Sequence, residues 1–291
     1  MKKCIVALLV IALAVVICAC AAREPAPAPV STNNLKMAFV YIPPGGFVMG
    51  SPAKEPGRFE DEVLHKVVLT QGFYLQTTEV TQGQWEAVMQ GNPSGFKTCG
   101  YDCPVENISW NDVQEFIRRL NKTEGADRYR LPTEAEWAYV VRLGTEENII
   151  KGVVKGVVKG VVNIVGSILF PSGECLSTED ANYNGNFPLD NCPAGEFRNT
   201  TLPVASFPPN KLGIHDLHGN VYEWCQDMYG PYPDYKVIDP QGPATVKTDA
   251  YRVYRGGSWY SSARYCRAAY RGKEAPDFKY SNIGFRLVKN S

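Results

Sequence analysis

The stretch Arg255-Gly-Gly-Ser-Trp-Tyr-Ser-Ser-Ala-Arg-Tyr-Cys-Arg-Ala-Ala-Tyr-Arg271, running on to Ile283-Gly-Phe-Arg-Leu-Val288, mixes two kinds of residue. Gly256 and Gly257 permit a tight turn, Trp259 is a large anchor, and Arg264, Arg267 and Arg271 with the apolar close complete a frame. Between them stand Tyr260, Ser261, Ser262, Tyr265, Tyr270, Gly272, Lys273, Phe278, Tyr280 and Ser281. Tyr, Ser and Gly are the residues that binding loops favour, because Tyr gives large contact area at low entropic cost. With few aliphatic residues before Ile283, the stretch reads as ordered loop between short strands.

Upstream the chain is equally rich in turns, through Ser206-Phe-Pro-Pro-Asn210 and Leu212-Gly-Ile-His-Asp-Leu-His-Gly-Asn220. Helices belong to the first half. Thr81-Gln-Gly-Gln84 and Ser109-Trp-Asn-Asp112 have capping-box spacing, as does Thr133-Glu-Ala-Glu136. The second box precedes Val113, Phe116, Ile117 and Leu120, an i, i+3, i+4, i+7 stripe that predicts an amphipathic helix. The first predicts a helix to about Gln90, and the third one through Trp137 to Arg142 that Gly144 closes. Runs at Ala38–Ile42 and Gly46–Met49 have strand character, and Pro43-Pro-Gly45 between them predicts a hairpin. Residues 66–69 and 73–75 continue as strand. Strands, then helices, then irregular β imply an α+β fold. Between 151 and 170 lies a low-complexity insertion, Lys-Gly-Val-Val three times in succession, read as tolerated surface length.

Thirty basic and 30 acidic residues among 291 leave no net charge, so nucleic acid is not an expected partner. The N-terminus, Met1-Lys2-Lys3 and an apolar run to Ile17-Cys-Ala-Cys20, has the make-up of a signal peptide over residues 1–19. It resembles a bacterial lipobox, which makes Cys20 the expected lipidation site and the cell envelope, at its outer surface, the expected location. A Pro/Ala-rich linker over 20–36 would tether a single domain at 37–291 to the membrane. Nine cysteines less Cys4, Cys18 and Cys20 leave six, an even number suited to disulfides after export. Local closure favours Cys99 with Cys103 and Cys175 with Cys192. Cys266 is then a buried thiol or the partner of Cys225.

Seven phrases occur in consistent order: Ile42-Pro-Pro-Gly-Gly-Phe-Val-Met-Gly50, Glu79-Val-Thr-Gln-Gly-Gln-Trp85, Cys103-Pro-Val-Glu-Asn-Ile-Ser-Trp110, Arg130-Leu-Pro-Thr-Glu-Ala-Glu-Trp137, Gly219-Asn-Val-Tyr-Glu-Trp224, Arg255-Gly-Gly-Ser-Trp259 and Ile283-Gly-Phe-Arg286. Together they resemble the formylglycine-generating enzyme/sulfatase-modifying factor family, over roughly Met37 to Val288. The resemblance implies an irregular C-type-lectin-type α+β fold. It also implies a copper site at two cysteines five positions apart, where this chain has Ser261 and Cys266. Copper is therefore not expected, since Cu(I) needs thiolates. Calcium is the one cofactor the resemblance suggests, structural and held by Asn220 and Glu223, with Asn182 in a second loop.

Segment 255–288 further resembles the variable proteins of diversity-generating retroelements, including treponeme lipoproteins, in which a constant scaffold carries exchangeable residues. That resemblance implies a surface-displayed, non-catalytic lipoprotein. Its ten residues from Tyr260 to Ser281 would bind an unknown protein or cell-surface ligand. The alternative is an exported enzyme of the oxidase type that retains Cys266.

Overall fold

The computed structural model describes residues 30–144, 170, 173–243 and 250–290. The signal peptide, Cys20 and the Lys-Gly-Val-Val repeat lie outside the described residues.

All three capping boxes close. Thr81 caps α1 (Gln82–Met89), Ser109 caps α2 (Trp110–Glu124) and Thr133 caps α3 (Glu134–Leu143), each hydroxyl accepting from the N3 amide while the N3 side chain accepts from the cap amide. Val113, Phe116, Ile117 and Leu120 form the buried face of α2, as their spacing predicted. There Phe116 stacks on Trp85 of α1 at 5.2 Å, with Phe285 edge-on to both.

The strands form three small sheets. One orders β1 (Val30–Thr32), β2 (Ala38–Ile42), β5 (Phe73–Gln76), β12 (Val288–Asn290) and β6 (Tyr129–Arg130). A second runs β10 (Gly272–Glu274), β9 (Arg252–Arg255), β7 (Tyr222–Met228) and β11 (Ile283–Gly284). The third joins β3 (Gly45–Met49), β4 (His65–Leu69) and β8 (Val237–Ile238). Helix α3 packs on β3, β7 and β9, and its Trp137, Val140 and Val141 belong to the largest buried cluster. The fold is α+β, as expected, and among the described residues no helix is long and apolar enough to cross a membrane.

Two expectations fail. The hairpin between 38–42 and 46–49 does not form: β2 pairs with β1 and β5, while β3 pairs with β4 in another sheet. Pro43 and Pro44 supply no amide donors to a ladder, so the chain passes between sheets there. Gly45 opens β3 where a Cβ would lie 2.2 Å from the Tyr139 hydroxyl. The stretch read as tether also contains a strand, since Val30, Ser31 and Thr32 pair with Val40, Phe39 and Ala38.

Candidate functional site

Segment 255–288 is stitched into sheets at both ends. It leaves β9 through Gly256 and Gly257, with φ of +100° and +81°, and returns through β11. A Cβ on Gly257 would stand 2.3 Å from the Cys266 sulfur, so only glycine fits that turn. Trp259 then binds the segment to its surroundings: its amide donates to Asn220 O at 2.8 Å and its indole to Ser281 O at 3.0 Å.

Beneath the loops lie buried ion pairs. Arg267 is fully buried; it donates to Glu55 at 2.6 Å and forks onto both carboxylate oxygens of Glu62. Arg271 forks onto Glu134 at 2.7 and 2.9 Å and lies 3.6 Å over the Tyr232 ring. Arg255 joins the same carboxylate at 2.8 Å. Burial opposes ionisation of Glu134, yet Arg271 and Arg255 outweigh it and hold its pKa at about 2. Arg264 differs, being exposed: it caps Gly57 O at 2.8 Å and covers the Phe59 ring at 3.9 Å.

Of the ten residues expected to face a ligand, four aromatics stand clear of this frame: Tyr260 is 57% exposed, Tyr280 51%, and Tyr265 and Phe278 37% each. Lys273 is exposed, its ammonium 4.3 Å from the Tyr229 ring centre, and Ser262 and Ser281 are half-buried. Tyr270 is half-buried as well, edge-on to Tyr265 at 5.0 Å and against Phe59 at 5.4 Å. Two expectations need correction. Ser261 is buried, its hydroxyl bonded to Ser258 and, at 2.8 Å, to Tyr222. Gly272 is buried in β10, where a Cβ would lie 1.8 Å from the Tyr254 ring. Both serve the frame.

The surface also recruits residues the sequence did not point to. Phe197 stacks on Trp259 at 6.3 Å and contacts Tyr260 at 6.2 Å, and Phe96 meets Trp259 edge-on at 5.1 Å. Phe187, 60% exposed, lies alongside, its carbonyl accepting from the Ala263 amide. Phe96 comes from one loop and Phe187 and Phe197 from another long irregular stretch, with no periodic spacing, so no pattern marks them.

Residues 23–291 match the sulfatase-modifying factor enzyme 1-like domain. The chain belongs to that family. It is 35% identical over 193 residues to the formylglycine-generating enzyme of Streptomyces coelicolor, an alignment covering 65% of this chain and 53% of the relative. It thus spans about half the length of that enzyme. Variable protein 1 of Treponema denticola superposes with a TM-score of 0.68 at 24% identity, covering 90% of this chain and 99% of that protein. PvdO from Pseudomonas aeruginosa gives 0.67 at 26% identity, over 91% and 99%. The fold is the C-type-lectin-type fold of this family.

The family's copper chemistry finds a poor donor set here. Cys225 and Cys266 are both free thiols, and the expected alternative of a disulfide between them is not formed, whereas Cys99–Cys103 and Cys175–Cys192 are. Burial pushes the Cys266 thiol up to about 12, so it is neither thiolate nor nucleophile at neutral pH. Ser261, already bonded to Ser258 and Tyr222, offers no soft ligand beside it.

The calcium ligands expected of the family divide. Asn182 and Asn220 meet, Nδ2 of the first donating to Oδ1 of the second at 3.2 Å. Glu223 does not join them: both its oxygens are held by Arg286, at 2.6 and 2.7 Å, and the Trp137 indole donates to it at 2.9 Å. The carboxylate that does reach Asn220 is Glu79, at 3.2 Å. Burial, with the charge of Asp216 beside it, raises the Glu79 pKa well above the carboxylate range. Asn182 Oδ1 and Glu79 Oε2 are buried without a hydrogen-bond partner. Among the described residues no three His, Cys, Asp or Glu side chains converge on a metal position.

Proposed function

We propose that this chain is a non-catalytic binding protein of the sulfatase-modifying factor family, lipid-anchored at Cys20 on the outer surface of a bacterial envelope. It recognises a protein or cell-surface ligand through segment 255–288. The observation that carries this reading is the contrast within the segment: Arg255, Arg267 and Arg271 are buried in ion pairs, while Tyr260, Tyr265, Phe278 and Tyr280 project from them. Exposed Tyr is what recognition surfaces enrich, and a rigid base of buried arginines means that a preformed loop loses little entropy on binding. Similarity to the treponeme variable protein supports a diversified segment of the retroelement kind. Of the expected ligands, a structural calcium would find only Asn182 Oδ1 free, since Asn220 Oδ1 already accepts from Asn182 Nδ2 and the Leu202 amide and Glu223 is held by Arg286.

Nucleotide sequence downstream of the gene tests the retroelement reading. A near-identical template repeat differing at adenines, with a reverse transcriptase gene nearby, is expected; absence of the repeat ends that version and leaves binding to be tested separately. For binding, the labelled full chain is compared on arrays of cell-surface proteins with a Tyr260→Ala/Tyr265→Ala/Phe278→Ala/Tyr280→Ala variant. Equal signals would refute the proposed surface. The enzyme reading rests on 35% identity to a formylglycine-generating enzyme. Aldehyde formed from a sulfatase-type cysteine peptide with copper and oxygen would establish it against ours.

A further inference from the structure

Where β7 ends, the chain runs through Gly230-Pro-Tyr-Pro233 and returns past Pro240 to Pro243, enclosing a cleft of ≈ 440 Å³ against the first turn of α3 and β4. Its walls are apolar, with Pro231, Pro233 and Pro243 facing Met49, Met228 and Val237. Two polar side chains, His65 and Asp227, lie in this lining, 5% and 3% exposed.

Each uses only half of its hydrogen-bonding capacity within the protein. Asp227 Oδ2 accepts the Glu134 amide at 2.8 Å, and Oδ1 has no protein partner among the described residues. His65 Nδ1 lies 3.0 Å from Val63 O, which assigns the ring proton to Nδ1 and leaves Nε2 a bare acceptor. The ring is fixed against Tyr232 at 4.6 Å. Glu134 and Arg271, also in the lining, engage each other, and Glu134 is held further by Arg255 and by Tyr232 of the same lining. Polar groups with unused hydrogen-bonding positions in the lining of an otherwise apolar cleft of this size are the make-up of a ligand site; such sites run from roughly 300 to 1,000 Å³.

We propose that this cleft binds a small uncharged molecule with a ring-sized apolar body and a carboxamide or hydroxyl end, which donates to His65 Nε2 and accepts from Asp227. The charges nearby decide against ionic ligands. Glu134 and Asp61 together balance Arg255 and Arg271, and burial together with the Glu134 charge pushes Asp227 up to about 8, so its carboxyl carries a proton at neutral pH and acts as donor. Burial lowers the His65 pKa, keeping the ring neutral. The base therefore presents one donor and one acceptor without net charge, which an amide or hydroxyl matches and a carboxylate or ammonium does not. The cleft shares with the variable segment only the Arg271 of its frame.

Benzamide, benzoate and benzylamine carry the same ring with neutral, negative and positive ends, and saturation-transfer NMR on the full chain at pH 7 compares them. Benzamide should bind and the other two should not. Asp227→Asn keeps an acceptor for the Glu134 amide and a donor toward the cleft, so it should retain benzamide binding. His65→Phe, which keeps the ring against Tyr232, should weaken it at least tenfold. The four-alanine variant of the variable surface should bind benzamide like the unmodified chain, which separates this site from that one. No binding by any probe would mean the cleft holds water alone. That result, equal binding of the charged probes, or unchanged affinity in His65→Phe would overturn the proposal.

Discussion

Two layers of segment 255–288 follow opposite rules. The lower layer consists of charges removed from water: Arg255, Arg267 and Arg271, each no more than 6% exposed, hold Glu134, Glu55 and Glu62. The upper layer consists of aromatic rings left in water, at Tyr260, Tyr265, Phe278 and Tyr280. Ordinary globular chains place these types the other way round. A buried ion pair fixes geometry because neither partner tolerates loss of the other, whereas an exposed ring contributes little to folding and can be exchanged. The inversion lets one segment be rigid in backbone and permissive in side chain.

The comparison breaks most directly at Arg267. Arg267→Ala strands Glu62 in the interior and should cost about 3–5 kcal/mol, read from chemical denaturation. A loss under 1 kcal/mol would mean the lower layer is not what holds the segment.

Next comes His218, beneath the same segment, its Nδ1 2.7 Å from Cys266 O. Burial lowers its pKa to about 4, below the 6.5 of an unfolded chain. The neutral ring is thus favoured on folding, the contribution is complete above pH 6.5, and it is lost as pH falls toward 4. The loss should reach roughly 3 kcal/mol, at about 1.4 kcal/mol per pKa unit. Asp227 acts with the reverse sign: its raised pKa takes stability away as pH rises from about 4 to about 8. Comparing pH titrations of stability in His218→Gln and the parent isolates the histidine; identical slopes would reject its role.

Cys266→Ala should cost about 1 kcal/mol for a small buried side chain, and native Cys266 should resist iodoacetamide until the protein unfolds. Rapid native alkylation would contradict the buried, protonated thiol. Smallest of all, Tyr260→Ala should shift stability by less than about 0.5 kcal/mol. A larger change would place Tyr260 in the lower layer.

What was legible in the sequence was local. Capping boxes and the stripe from Val113 to Leu120 gave three helices because their physics lies within four residues. Long-range pairing was not, and the hairpin reading failed at Pro43-Pro44 because strand character says nothing about which strand is the partner. In the site, side-chain type separated frame from filling except at exposed Arg264 and at Ser261 and Gly272, whose small size suited both a loop and a tight packing position. Glu223 misled for a related reason. An acidic residue near Asn220 in sequence resembles a cation ligand until Arg286, far along the chain, is seen to hold it.

Strand β12 lies between β5 and β6, so Val288 pairs with both Leu75 and Arg130. The largest sheet therefore joins the last described strand to two strands from the first half of the chain. Strands β1, β2 and β5 can pair within the first part of the chain, but the sheet closes onto β6 only when β12 arrives, and loop closure on that scale slows folding. On the diversified-segment proposal, exchange of residues in 255–288 would take place in a part of the chain that must still deliver β12 to its slot. Each exchanged side chain would then be screened first by folding and only afterwards by what it binds.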